Sequence, residues 1–146
     1  MLKKIKNYFL SAFREIFVYH HSSLEFRAKT YAVLIASSKE AFSHYEKTLN
    51  AIAAEIYTDI DRADTLTMTV KEYVSAVHTK KTTTDESLLV EIIQELRMIP
   101  RYALKIEPEH LERLRDCTQD HDSKIYQGRL IDFMDQKRKE YEEVKG

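Results

Sequence analysis

Six histidines, His20, His21, His44, His78, His110 and His121, are the first residues that could do chemistry, because neutral imidazole ligates transition metals and moves protons near neutral pH. Their spacing argues for another use. No two stand four apart on a helical pattern with an acid between them, as an HExxH zinc helix requires. Most fall near predicted helix ends, where imidazole can meet terminal backbone groups. The His121-Asp122 pair echoes helical metal-dependent phosphohydrolases, whose site would also need His78 or His110 upstream and Asp132 or Asp135 downstream. The pair falls in a polar break with little chain after it, so the expectation is a turn in which Asp122 or Ser123 caps the last helix. No Ser-His-Asp signature, nucleophile elbow or P-loop is present, and the serines and threonines are expected as caps. Cys117 is the single cysteine and is read as structural; it excludes an internal disulfide, CxxC redox chemistry and a cysteine zinc cluster, and it is compatible with a reducing cytoplasm. The chain is therefore expected not to be an enzyme and to need no cofactor.

The elements that must position these residues are helical. With only two glycines and two prolines in 146 residues, the chain lacks the punctuation that hairpins, many-stranded sheets and glycine-rich phosphate loops need. Hydrophobic residues at 43% and charged residues at 32% are a globular mixture, long enough to bury one core without a disulfide or metal. The 23 basic and 24 acidic side chains leave a net charge of −1, so no overall field draws the protein onto nucleic acid. The start carries Lys3, Lys4 and Lys6 like a signal peptide, but Asn7, Ser11, Arg14 and Glu15 interrupt the apolar residues that follow.

Apolar residues at three- and four-residue steps predict an N-terminal amphipathic helix over 3–19 and a second from the Ser22–Glu25 capping box to about Ala36. A third opens at Ser43–Glu46 and ends near Tyr57. A polar connector over Asp59–Thr67 then precedes a fourth, opened by Thr69–Glu72 and weakened locally by β-branching. A fifth is capped by Thr83–Glu86 and broken by Pro100; a sixth starts at Pro108 and runs to about Asp116. A charged C-terminal helix covers 123–143. The expectation is an all-α, single-domain bundle of about seven helices spanning 1–146. Two stretches, Tyr31–Tyr57 and Leu89–Cys117, read alike as helix, turn and capped helix, giving two weakly similar helical-pair halves.

The turns of those halves read Lys39-Glu40-Ala41-Phe42-Ser43-His44-Tyr45-Glu46 and Ala103-Leu104-Lys105-Ile106-Glu107-Pro108-Glu109-His110. Over about residues 24–117 the chain resembles the TerB-like domain, the family of tellurite-resistance protein B. In that family each turn carries an Asp-Gly, a hydrophobic residue, a cap or proline, and glutamates. This chain keeps the hydrophobic and capping positions and lacks the Asp-Gly pairs. The resemblance implies divalent-metal binding at the acids, of which Glu46 and Glu109 carry over, while Lys39 stands where an acid would and repels a cation. Hard cations want several oxygens gathered at one place, so a metal-free or weakly cation-binding variant is expected, with Glu46 completing a capping box. The resemblance also implies a stress-response or membrane-associated assembly.

The N-terminal helix carries Phe9, Phe13 and Phe17 beside its lysines. It could pack on its own bundle, bind a protein partner or second copy, or lie on an anionic membrane surface, and the three phenylalanines are the candidate partner-binding anchors. The resulting expectation is a cytoplasmic, non-enzymatic TerB-like interaction module, with a metal-binding domain or phosphohydrolase as the alternatives.

Overall fold

The computed structural model describes residues 23–79 and 83–145, with side chains through Glu142. Every regular element among them is helical: α1 (residues 23–36), α2 (Ser43–Ile56), α3 (Ile60–Thr79), α4 (Asp85–Met98), a 3-10 segment (Pro100–Lys105), α5 (Pro108–Arg115) and α6 (His121–Lys145). The expected N-terminal helix over 3–19, with Phe9, Phe13 and Phe17, lies outside the described residues.

Helix α1 is the buried axis of the bundle. From Leu24 to Ala36 each residue is buried except Lys29, including Phe26, Ala32 and Val33, which lie off the apolar stripe that Leu24, Ala28, Tyr31, Leu34 and Ile35 form at three- and four-residue steps. A helix covered on all sides needs neighbours on all sides. The other helices contribute one face each: Tyr45, Leu49, Ile52 and Ala53 from α2, Leu66, Val70 and Val74 from α3, Leu88, Ile92 and Leu96 from α4. Helix α2 packs on α3 and α5, while α6 closes the bundle over α4, the 3-10 segment and α5. The connection from α1 to α2 is a short turn, whereas the corresponding connection from α4 to α5 carries the 3-10 segment.

Local chemistry sets most boundaries, and corrects several expectations. The stretch Asp59–Thr67 is not a connector: α3 starts at Ile60, because the Asp59 carboxylate accepts the Asp61 N–H at 3.0 Å and opens the helix there. Thr69 accordingly sits inside α3 and donates to the Thr65 carbonyl at 2.7 Å. The Ser43–Glu46 box does not form, since α2 follows Phe42 with no side-chain cap. At α4 the box is shifted by one residue: Thr84 and Ser87 satisfy each other's backbone N–H groups at 3.0 and 2.9 Å. Pro100 ends α4 as expected and then begins the 3-10 segment, whose first residue needs no N–H. Pro108 opens α5 in the same way. His121 and Asp122 belong to the first turn of α6, and the cap is Asp120, which accepts both the N–H and the hydroxyl of Ser123 at 2.9 and 2.8 Å. No helix among the described residues is long and apolar enough to cross a membrane.

Candidate functional site

A helix buried on all sides that carries Glu25, Arg27 and Lys29 must find a partner for each, since an unpaired buried charge is costly. Each finds a different neighbour. Glu25 accepts a hydrogen bond from the Tyr73 hydroxyl of α3. Lys29 Nζ lies 2.8 Å from Glu95 Oε2 of α4, with Glu91 at 4.0 Å. Arg27 Nη2 is 2.9 Å from Glu107 Oε1, at the entry to α5. Three charges on the axis thus bind it to three surrounding helices.

The Arg27 end of this arrangement is the most concentrated polar cluster. Arg27 lies 5.9 Å from the centroid of the Tyr57 ring, and Arg62, from the first turn of α3, lies 4.9 Å from the same centroid. The Tyr31 hydroxyl is 3.2 Å from His110 Nδ1, which is 3.5 Å from Glu107 Oε2. Arg113 grips Glu55 with both terminal nitrogens, at 3.0 and 2.8 Å. The Arg27–Glu107 contact is a charge pair without hydrogen-bond alignment: Glu107 Oε1 and the Nε atoms of Arg27 and Arg62 are buried without a hydrogen-bond partner among the described residues. Burial holds the Tyr31 phenol well above its usual range, with Arg27 opposing and Glu107 reinforcing the shift. Burial raises Tyr57 in the same way, against the pull of Arg27 and Arg62. Both phenols therefore stay protonated near neutral pH. The Arg113 fork holds the Glu55 carboxyl below the usual range. The cluster joins α1 to α3 and α5 through charge and ring contacts.

The residues singled out from the sequence are dispersed. Glu46 sits in the first turn of α2, half-buried, and Glu109 in the first turn of α5, exposed. Among the described residues no three His, Cys, Asp or Glu side chains gather where they could hold a metal ion. The pieces of the phosphohydrolase constellation stay apart in use. His121 and Asp122 are exposed, His110 faces Tyr31, and Asp135 is tied to Arg138 at 2.7 Å. His78 Nε2 lies 3.2 and 3.1 Å from the carbonyls of Ala36 and Ser38, so it donates to the end of α1. His44 Nδ1 is 3.1 Å from Glu40, and His20 and His21 lie outside the described residues. Cys117, half-buried, has its sulfur 3.2 Å from the Thr48 hydroxyl.

Two groups of residues that the sequence reading passed over join distant parts of the chain. Both Glu40 carboxylate oxygens accept the Gln119 N–H at 3.0 Å, linking the α1–α2 turn to the turn before α6. Burial would push that carboxyl up, but the hydrogen bonds from Gln119 and His44 bring it below its usual range. Nearby, the buried Tyr45 hydroxyl bridges Ser38 at 2.7 Å and Thr118 at 2.6 Å. The other group is the Arg27 cluster. Its signal was present in the sequence as Arg27 itself, a charge between Leu24 and Tyr31 on the apolar stripe of α1. No protein-family model, curated protein or solved structure matches the chain.

Proposed function

We propose that this chain is a non-enzymatic helical interaction module, similar in plan to TerB-like domains, that acts through contacts with another protein or a second copy of itself. One observation carries the reading. In both turns where the resemblance would gather acids around a cation, carboxylates are engaged inside the protein: Glu40 with Gln119 and His44, and Glu107 with Arg27 and His110. A carboxylate already neutralised by a guanidinium has little left to offer a hard cation. The turns serve cohesion, which is what a scaffold that presents surfaces requires. Phe9, Phe13 and Phe17 remain the proposed anchors, because buried aromatics concentrate binding energy. A stress-response or membrane-associated assembly is the setting that the resemblance implies.

Two measurements test this. Titration calorimetry with Ca²⁺, Mg²⁺, Mn²⁺ and Zn²⁺ is expected to show no stoichiometric heat. Micromolar binding abolished by Glu46→Gln or Glu109→Gln would replace the proposal with a metal-binding one. Phe13→Asp is expected to abolish partner capture or self-association while leaving helicity unchanged, and retention of every contact by that variant counts against the anchors.

A further inference from the structure

The stretch from Leu96 to Ile106 holds Arg97, Arg101 and Lys105 and no acid. The acids that bracket it are already neutralised from the bundle axis, Glu95 by Lys29 at 2.8 Å and Glu107 by Arg27 at 2.9 Å. Among the described residues none of the three cations has an ion-pair partner; Arg101 lies 5.6 Å from the centroid of the Tyr102 ring, a contact that leaves its charge in place. Arg97 and Arg101 are exposed and Lys105 is half-buried at the end of the segment. Helix α4 ends at Met98, and Ile99 leaves it with φ −134° and ψ 79°. The 3-10 segment that follows has a three-residue period, which places Arg101 and Leu104 one above the other. Tyr102, Ala103 and Ile106 are buried beneath them. Between the cations stand two of the exposed large apolar side chains, Met98 at 80% and Leu104 at 53%.

We propose that this corner docks on the surface of an anionic lipid bilayer, with Arg97, Arg101 and Lys105 against headgroup phosphates and Met98 and Leu104 at the acyl boundary. Charge complementarity selects an anionic occupant. The exposure of Met98 favours lipid as the occupant: a fluid headgroup layer conforms to a projecting apolar side chain and supplies an apolar medium just below. The proposal is independent of the N-terminal lysines.

The full chain is sedimented with phosphatidylcholine vesicles, with and without phosphatidylglycerol. Binding is expected only to the anionic vesicles and is expected to weaken as salt rises. Arg101→Glu combined with Lys105→Glu removes two favourable surface charges and is expected to lower the partition constant roughly 30-fold or more. Met98→Ser with Leu104→Ser is expected to lower it about tenfold at fixed salt. Lys3→Gln, Lys4→Gln and Lys6→Gln together are expected to leave the effect of the corner variants intact. All the altered side chains of the corner point to solvent or its edge, and circular dichroism checks that each variant keeps its helicity. The proposal is overturned by an absence of binding to anionic vesicles, by equal binding of the charge-reversed variant, or by loss confined to the N-terminal lysine variant. Salt-sensitive capture of polyglutamate that ignores Met98→Ser and Leu104→Ser would assign the corner to acidic protein and overturn it as well.

Discussion

Tyr31 shows how a single buried phenol can set the pH range of a fold. Its hydroxyl faces His110 across 3.2 Å and its ring is buried in α1, so ionisation in place would put a negative charge where water cannot reach it. In the unfolded chain the same phenol ionises near pH 10. Between that value and the higher folded value the unfolded state has lost a proton that the native state keeps, so ∂ΔG/∂pH is negative and stability falls as pH rises. Below pH 10 both states hold the proton and Tyr31 adds no slope. Tyr31→Phe is expected to cost about 1 kcal/mol at neutral pH through the lost hydrogen bond. It should also flatten the decline above about pH 10, with Tyr57 accounting for part of what remains. Urea midpoints from pH 8 to 11 read both effects, and an unchanged alkaline slope would show that the phenol ionises freely in the native state. At the acid end the sign reverses. Glu40, held below its usual range, adds stability above the unfolded carboxyl value and loses it as pH falls through its lower folded value, so the urea-midpoint cost of Glu40→Gln should be full at pH 7 and shrink with acidification.

Among the elements, caps and one glycine give the sharpest tests. Thr84→Ala removes the acceptor for the Ser87 N–H and leaves the α4 start unsatisfied, which is expected to cost about 1 kcal/mol in a thermal or urea titration. Gly128 lies inside α6, where alanine would be favoured by about 1 kcal/mol. A Cβ there would meet the Arg115 guanidinium at 3.0 Å, and that group donates from Nε to the Lys124 carbonyl at 2.6 Å. Gly128→Ala is therefore expected to be nearly neutral in the natural protein and stabilising by about 1 kcal/mol in an Arg115→Ala background. The double-mutant cycle separates the two terms. Both cases bear on how much was legible in the sequence. Period and proline placed α2, α4 and α5 within a few residues, because their signals are local. The start of α3 was missed because Asp59, Asp61 and Asp64 look like loop residues until Asp59 is recognised as a cap on a helix whose outer face is polar. The cluster around Arg27 was missed because Tyr57, Arg62 and Glu107 meet it only through tertiary packing, to which no local pattern points.

At the scale of the molecule, placing α1 on the axis changes how the fold should come apart. Periodicity gives each helix one apolar face and does not say which helix will be covered on every side; the off-stripe Phe26, Ala32 and Val33 were the only local hint, and the assembled bundle decides it. A helix enclosed by α3, α4 and α5, and tied to them through Glu25, Lys29 and Arg27, cannot open without separating those neighbours. Its amides should exchange only through global unfolding, whereas the far end of α6 should exchange through local fraying. Native-state hydrogen exchange across a denaturant series is expected to give α1 amides the full equilibrium slope, and a smaller slope there would mean that the outer helices hold together without their axis. Substitution should follow the same order. Leu34, fully buried in α1, is expected to cost about 2–5 kcal/mol as Leu34→Ala. Leu89, half-buried on α4 at the margin of the same core, should lose roughly half as much as Leu89→Ala, because part of its surface is already in water and the cavity left behind is open. Equal losses at the two positions would place the energetic centre of the bundle outside α1.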